Sequence, residues 1–376
     1  MKKILYAVLA VVIVIATSAC DNDRPDNTNE KDYKIAVITQ PLSEDPYTFE
    51  AAQNLKDKYG DTVVTVTYPH HHDTQPEQTV AMITDLAKDP DMRVIIFAET
   101  VNGTTAGIKK LRETRSDILV IASMNTENAS EIAPLSDLCF IENKAVTGTS
   151  IVEQAAKMGA KTFVYITCQK DLANSVISAH EEQLKETCSA SGISFIEATA
   201  PNPTGAEGLI GIQSWMNENI PRYVEQYGKN TAFYATDESM STPLVRQIAT
   251  CGAILPQLCN PSPYHGFPEA FDIDLKDRKA DTDYLLHQVK TAIHSYENSG
   301  RMAAWSVPQS MIVIRAGVEY SRKWCEGTIT ERCDRETMNA AISDASGGDA
   351  IVSYYTDDKI GWISKSFAIQ DNYYIF

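Results

Sequence analysis

The sequence lacks the short motifs that mark several common enzyme and nucleotide-binding classes. It contains no Gly-x-Gly-x-x-Gly after its first strands, no Gly-x-Ser-x-Gly and no Cys-x-x-Cys. Dinucleotide binding, the serine motif of many hydrolases and a dithiol or metal motif therefore have no support. Basic residues are also few, because 33 Lys and Arg stand against 50 Asp and Glu and give a net charge of −17. Such an acidic chain lacks the electrostatic footprint that binds nucleic acid.

Long apolar runs are missing as well, except at the N-terminus. Lys2 and Lys3 precede an apolar run over 4–16, and small residues then lead to Cys20. This layout predicts a secretory signal over 1–20, whose core is too short for a comfortable membrane span. A small residue followed by cysteine resembles the bacterial lipobox, and the resemblance implies that Cys20 becomes the lipidated first residue of the mature protein. The alternative is an ordinary signal peptide with an incidental cysteine.

The segment after Cys20 favours the lipid anchor. Residues 21–32 (DNDRPDNTNEKD) contain no apolar residue except Pro25, which predicts a disordered tether that cannot join a core. We therefore expect an exported protein held at the membrane by its lipid, on the periplasmic face or at the cell surface. Export also permits disulfides. The closest cysteine spacings, and so the plausible bridges, are Cys251–Cys259 and Cys325–Cys333.

From residue 33 onward, short apolar strands alternate with amphipathic helices. Lys34–Thr39 (KIAVIT) and Arg93–Ala98 (RVIIFA) are near-continuous apolar runs, typical of strands buried on both faces of a parallel sheet. The series restarts at Thr162–Thr167, which predicts an α/β protein with two doubly wound, Rossmann-like lobes. The predicted divisions are an N-terminal lobe over 33–145, a C-terminal lobe over 146–306, a helix around 309–347 that returns to the first lobe, and a strand pair over 350–376 that completes the second.

Several segments resemble those of type I periplasmic solute-binding proteins. The run QTVAMITDLA at 78–87, with the strand after it, is similar to the second helix and third strand of that family. Asp45-Pro46-Tyr47 stands where many sugar-binding members have Asn-Pro-aromatic, and 236–240 (TDESM) resembles an Asn-Asp-Glu stretch that ends a C-domain strand. The resemblance covers roughly 33–258 and implies two lobes around a ligand cleft, closure by a hinge, no cofactor and no enzymatic chemistry. The rest resembles uncharacterised binding-protein-like lipoproteins.

This sequence departs from the pattern of the sugar-binding members at one position that affects the expected ligand. Sugar-binding members usually have an arginine just after the first C-domain strand, whereas 168–179 (CQKDLANSVISA) offers only Lys170. The resemblance therefore implies an architecture and a cleft, but not a sugar. A nucleoside, a sugar and an amino-acid-like molecule all remain open as the small polar or aromatic ligand.

In open α/β sheets, ligands bind beyond the carboxyl ends of the strands. Polar residues at those ends, with an aromatic wall from Tyr47 and Tyr264, are therefore the candidates for the cleft. The alternative for each is a loop side chain that faces solvent or caps a helix, but for Tyr47 and Asp237 we favour a ligand role. Glu99 and Asp237 argue against an anionic ligand. The predicted ligand-binding residues are Gln40, Tyr47, His70, Glu99, Thr100, Ser123, Asn125, Gln169, Asp237 and Tyr264.

Two other chemistries were weighed against ligand binding. The run His70-His71-His72 could share a metal ion, but further ligands lie at no recognisable spacing, so no metal site is predicted. Cys168 ends a strand without an interpretable basic partner. The leading hypothesis is a receptor that delivers a solute to an ABC permease. A receptor for a membrane sensor and a hydrolase that uses the cleft are the alternatives.

Overall fold

A computed structural model describes residues 33–123, 129–141, 144–168, 170, 175–347, 351–357, 361–370 and 373–376. The predicted signal with Cys20, the tether over 21–32, and the site candidates Asn125 and Gln169 lie outside these residues. No helix in the described ranges combines the length and the apolarity that a membrane crossing requires.

The first lobe is built on a seven-stranded sheet in the order β10-β11-β5-β4-β3-β1-β2. The strands β1 to β5 and β11 run parallel, and β10 is antiparallel at one edge. The elements of the first pass are β1 (Lys34–Thr39), α1 (Pro46–Tyr59), β2 (Val63–Thr67), α2 (Pro76–Leu86), β3 (Met92–Phe97), α3 (Thr104–Thr114), β4 (Leu119–Ser123), α4 (Ala129–Ile132) and β5 (Leu138–Ile141). Those of the return are α11 (Gln309–Cys325), α12 (Arg335–Ala345), β10 (Ile351–Asp357) and β11 (Gly361–Gln370).

The alternation within β1 shows why this sheet is covered on both faces. Ile35 and Val37 belong to a core cluster with residues of α1 and α11, whereas Ala36 and Ile38 belong to one with residues of α2 and α3. All four are fully buried. Burying an isoleucine or valine side chain contributes about 1.5–3 kcal/mol, so the strand stabilises both layers. The predicted doubly wound α/β fold is confirmed.

The second lobe holds a smaller sheet in the order β7-β6-β8, and all of its pairings are parallel. Bridges from Ala232 to Ile254 and from Leu255 to Met302 extend the pairing towards β9, which is antiparallel to β12. The elements are α5 (Lys144–Lys157), β6 (Thr162–Cys168), α6 (Ser175–Ala190), β7 (Ser194–Ala200), α7 (Gly208–Tyr227), β8 (Thr231–Ala235), α8 (Ser241–Cys251), α9 (Phe267–Ala270), α10 (Thr282–Ser295), β9 (Ala303–Trp305) and β12 (Tyr373–Ile375).

The chain passes between the lobes three times: between β5 and α5, between β9 and α11, and between β11 and β12. The assignment of 350–376 to the second lobe is therefore wrong for most of the segment. β11 pairs with β5 at the open edge of the first sheet, and only β12 pairs with the second lobe. The unpaired edge of β5 offers backbone donors and acceptors that the C-terminal strands satisfy.

The cysteines do not form the bridges that their spacing suggested. None of the seven described cysteines, among them Cys251, Cys259, Cys325 and Cys333, takes part in a disulfide. Cys139, Cys168 and Cys188 are buried and behave as small apolar side chains in the core.

Candidate functional site

The first turn of α1 places an aromatic ring at the carboxyl end of β1. An Asp45 Oδ1 atom accepts a hydrogen bond of 3.0 Å from the backbone N–H of Thr48, which caps the helix. Pro46 occupies the first helical position, where its missing N–H costs nothing. The Thr48 hydroxyl lies 2.7 Å from that of Ser310, at the start of α11. Tyr47 is thus held between the first strand and the returning helix.

A proline-rich loop of the second lobe presents the opposing residues. The backbone N–H of Tyr264 donates to Ser262 Oγ at 3.1 Å, and the backbone N–H of Trp305 donates to the Pro261 carbonyl at 2.8 Å. Gly266 has a φ of +71°, and a Cβ atom there would lie 2.9 Å from the Ser241 Cβ. Only glycine fits this turn comfortably, and the turn fixes the loop against α8.

The two lobes meet directly through these residues. The rings of Tyr47 and Tyr264 stack with centroids 4.7 Å apart. The Tyr47 hydroxyl lies 2.5 Å from His265 Nε2. Asn260 Nδ2 and Glu238 Oε1 approach the same nitrogen, at 3.1 and 3.4 Å. We call Tyr47, Tyr264, His265, Asn260 and Glu238 the lobe contact.

Burial sets the protonation of the lobe contact. It raises the pKa of Tyr47, which the charges of Asp45, Glu238 and Glu99 raise further. Burial also raises the pKa of Tyr264 to about 12 and lowers the pKa of His265 to about 4. At neutral pH both phenols are protonated and the imidazole is neutral, so one of Tyr47 Oη and His265 Nε2 donates to the other, and the tautomer of the ring decides whether its proton sits on Nε2 or on Nδ1. That buried Nδ1 has no hydrogen-bond partner among the described residues.

Asp237 has the capping role that was the alternative to ligand binding. Its Oδ1 atom accepts from the Ser239 N–H at 3.0 Å and from the Ser239 hydroxyl, and so caps the short 3-10 turn Glu238–Met240. Its Oδ2 atom lies 2.6 Å from Lys170 Nζ. Burial alone would raise the pKa of Asp237, but the hydrogen bonds from Lys170 and Ser239 outweigh it and lower the pKa. Both carboxylate oxygens therefore already hold partners.

Four other predicted ligand-binding residues lie at or just after the ends of strands of the first lobe. Gln40 follows β1, and its buried Oε1 has no partner among the described residues. Glu99 follows β3, where its carbonyl accepts from the Tyr68 hydroxyl at 2.7 Å and its charge acts on Tyr47. Thr100 and Ser123 are buried at the ends of β3 and β4. Of the described candidates, the structure thus gathers Tyr47, Glu99 and Tyr264 around the lobe contact.

His70 lies elsewhere, on an exposed turn. Its Nδ1 is 3.7 Å from Glu44 Oε1, and His72 Nε2 is 3.9 Å from the other oxygen of the same carboxylate. His72 Nδ1 also lies 3.1 Å from an oxygen of Asp73. Within the described ranges, however, no group of three or more His, Cys, Asp or Glu residues could hold a metal ion. His70 and His72 therefore lie beside carboxylates on a turn of the first lobe.

The sequence did not single out His265 or Asn260 as site residues. Both lie in the loop CNPSPYHGFP that follows residue 258. Tyr264 was chosen there as an aromatic wall, and the adjacent histidine was the available signal. Its importance depends on the position of Tyr47, which is 218 residues away in the chain, and no local pattern conveys that.

Comparisons with known proteins identify the family and the fold of this chain. A family model described as "Protein of unknown function (DUF3798)" matches residues 33–303. An uncharacterized protein of Treponema pallidum (strain Nichols) is 28% identical over 216 residues, which cover 54% of this chain and 98% of that protein.

Two crystal structures share the fold. A protein of Clostridium difficile 630, described as a candidate transcriptional regulator, has a TM-score of 0.83 and 20% identity over 92% of this chain and 99% of its own. A sugar ABC transporter protein of Actinomyces odontolyticus has a TM-score of 0.53 and 12% identity over 91% of this chain and 95% of its own. At these identities the similarity shows the architecture, which is that of type I periplasmic binding proteins.

Proposed function

The chain belongs to the DUF3798 family, and we propose that it is a membrane-anchored extracytoplasmic receptor that captures a small polar solute between its lobes and delivers it to an ABC importer. The fold supports the binding of a solute. The solute itself, the importer and the lipid anchor on Cys20 are parts of the proposal.

The observation that carries the proposal is the lobe contact. Tyr47, from the first lobe, meets Tyr264 and His265, from the second, at the side where the carboxyl ends of the strands lie. In open α/β sheets this is the side on which ligands bind. Aromatic rings with a polar edge suit a small polar molecule, because they offer both an apolar face and hydrogen-bonding groups.

Buried polar atoms around the strand ends give a second, independent support. Gln40 Oε1 in the first lobe and Gln257 Nε2 and His265 Nδ1 in the second lack partners among the described residues. Gln257 is fully buried, and its Oε1 accepts from the Tyr373 hydroxyl at 2.5 Å. A buried donor or acceptor without a partner costs about 1–3 kcal/mol. A polar solute that supplied the missing acceptors and donors would remove part of that cost.

The mechanism follows from the connectivity. Three crossings join two lobes that each have their own sheet, so the crossings can act as a hinge while the sheets stay rigid. A solute that contacts both lobes binds the closed state more tightly than the open one and shifts the population towards it. The direct contact of Tyr47 with His265 shows that side chains of both lobes reach each other. No covalent step is required.

Delivery to an importer is supported by a neighbour in fold and by the sequence. One neighbour in fold is described as a sugar ABC transporter protein, and the sequence favours export with a lipid anchor. A receptor that is held at the membrane would keep its solute close to a permease.

The proposal is tested with a thermal-shift panel of sugars, nucleosides and amino acids on ligand-stripped protein. A solute at a hundredfold excess over its Kd stabilises the folded state by about 2.7 kcal/mol. We expect one class to raise the Tm of the wild type and of Tyr296→Ala, whose ring is exposed, and to leave Tyr264→Ala unchanged. The absence of any response to all three classes, or an equal response of both variants, would contradict solute binding at the lobe contact.

A further inference from the structure

One charged residue interrupts the apolar run of α11. Met311, Ile312, Val313 and Ile314 precede Arg315 and are fully buried, as are residues 316 and 318 after it. Arg315 is partly buried in the same stretch. Because guanidinium has five donors and keeps its charge, it needs partners or water wherever it is placed.

Arg315 differs from the other arginines that the structure describes, because no described residue forms a hydrogen bond or an ion pair with it. Every other arginine in the described ranges has a hydrogen bond, an ion pair or an aromatic ring beside it; Arg112 and Arg332, for example, both pair with Asp137. Among the described residues Arg315 has neither a hydrogen bond nor an ion pair. Burial lowers its pKa, which reflects the cost of an unpaired charge away from water.

The surroundings of Arg315 place it beside the lobe contact. Its charge acts on the phenol of Tyr264 and on the carboxylate of Asp283, which is on α10 of the second lobe. Asp283 is not within ion-pair distance. Arg315, on α11 of the first lobe, is therefore close to Tyr264 and to α10 of the second lobe, and the Tyr264 ring stacks on Tyr47.

The opposite charge is also close to the lobe contact. The carboxylates of Glu99 and Glu238 both act on the Tyr47 hydroxyl. Asp237, by contrast, is neutralised by Lys170 at 2.6 Å. A simple anion would be attracted by Arg315 and repelled by the glutamates, whereas a zwitterion satisfies both signs.

Building on the proposed receptor function, we propose that the solute is an amino-acid-like zwitterion whose carboxylate is bound by Arg315 and whose ammonium group is placed towards Glu99 and Glu238. A planar carboxylate matches the guanidinium fork with two parallel hydrogen bonds. The ammonium group of the solute would offset the negative charges of Glu99 and Glu238 beside the lobe contact.

The test is calorimetric titration of ligand-stripped protein with the standard L-amino acids, first pooled and then singly, and with the amide of each one that binds. We expect the wild type to bind at least one amino acid, and its amide at least about tenfold more weakly. Arg315→Met should lose at least about tenfold in affinity, and Arg315→Lys should lose less because it keeps the charge. The matched control is Arg222→Met, an exposed arginine on α7, which should stay within about twofold of the wild type.

A second measurement shows whether any loss of affinity comes from unfolding of the variant. The urea midpoint of ligand-stripped Arg315→Met should equal or exceed that of the wild type, because an unpaired buried charge is removed. A lower midpoint with unchanged affinity would make Arg315 a structural residue and overturn the inference. Binding of only neutral sugars or nucleosides would also overturn it while leaving the receptor function intact, whereas failure to bind any class would contradict both.

Discussion

The hydroxyl of Tyr47 lies 2.5 Å from Nε2 of His265, and the two residues belong to different lobes. The bond is flanked by the stack of Tyr47 on Tyr264. A single side chain at the start of α1 thus contacts two successive residues of a loop in the second lobe. Substitutions at Tyr47 or His265 therefore test how much this contact between the lobes stabilises the protein.

Removal of the Tyr47 hydroxyl should loosen the lobe contact without removing the ring. We expect Tyr47→Phe to lower the free energy of unfolding by about 0.5–1.5 kcal/mol, because a hydrogen bond between the lobes is lost while the stack remains. Urea denaturation of ligand-stripped protein measures this. The control is Tyr227→Phe, which loses an exposed bond with Gln226. Equal midpoints for the two variants would contradict a stabilising contact between the lobes.

Acid should weaken the fold through His265. Its pKa is lowered from 6.5 to about 4 in the folded protein, so the unfolded chain binds more protons at this site between those values. The free energy of unfolding therefore falls as the pH drops from 6.5 towards 4, by up to about 3 kcal/mol from this group. The free energy of unfolding, measured by urea denaturation at several pH values in this range, should fall more steeply with decreasing pH in the wild type than in His265→Gln. An equal pH dependence in the two proteins would show that His265 is not the titrating group.

Asp237 tests the choice between a cap and a ligand residue. Asparagine caps helices about as well as aspartate, but it loses the charge that Lys170 approaches. Since both oxygens of Asp237 already hold partners, we expect Asp237→Asn to change the affinity for the solute by less than about threefold. Calorimetry on ligand-stripped protein would show this. A fall of tenfold or more would return Asp237 to the ligand-binding residues that the sequence suggested.

The sequence was sufficient for the fold because the relevant signals are local. The apolar run Lys34–Thr39 predicted a strand buried on both faces, and Ile35 and Ala36 indeed belong to different core clusters. The pairing of the C-terminal strands was harder to predict from the sequence. β11 and β12 are adjacent in the chain but pair with different sheets, and the choice is made by the open edges of β5 and β9 rather than by their own residues.

The site was predicted only in part for a related reason. Tyr47 and Tyr264 were chosen because strand ends and aromatic rings are visible in the sequence. His265 and Arg315 were not, because a histidine in a loop and an arginine in a helix acquire meaning only from neighbours far along the chain. Asp237 was assigned to the ligand because capping and ligand binding require the same residue at the same strand end.

The lipid anchor has a direct test. Cys20→Ser removes the thiol that would carry the lipid, and the protein should then leave the membrane fraction. Phase partition in detergent with the wild type as the reference measures the change. The matched control is Cys251→Ser, because Cys251 is also a free thiol and should not alter the partition. A Cys20→Ser protein that stays in the detergent phase would exclude lipidation at this position.

Native mass spectrometry of freshly purified protein tests solute capture most directly. We expect the wild type to carry one small molecule that is released on denaturation, and its mass and fragmentation to identify an amino-acid-like compound. Tyr296→Ala should keep the molecule, and Tyr264→Ala should lose it. A wild type that emerges at the mass of the bare chain, and that still does so after incubation with sugars, nucleosides and amino acids, would contradict the account.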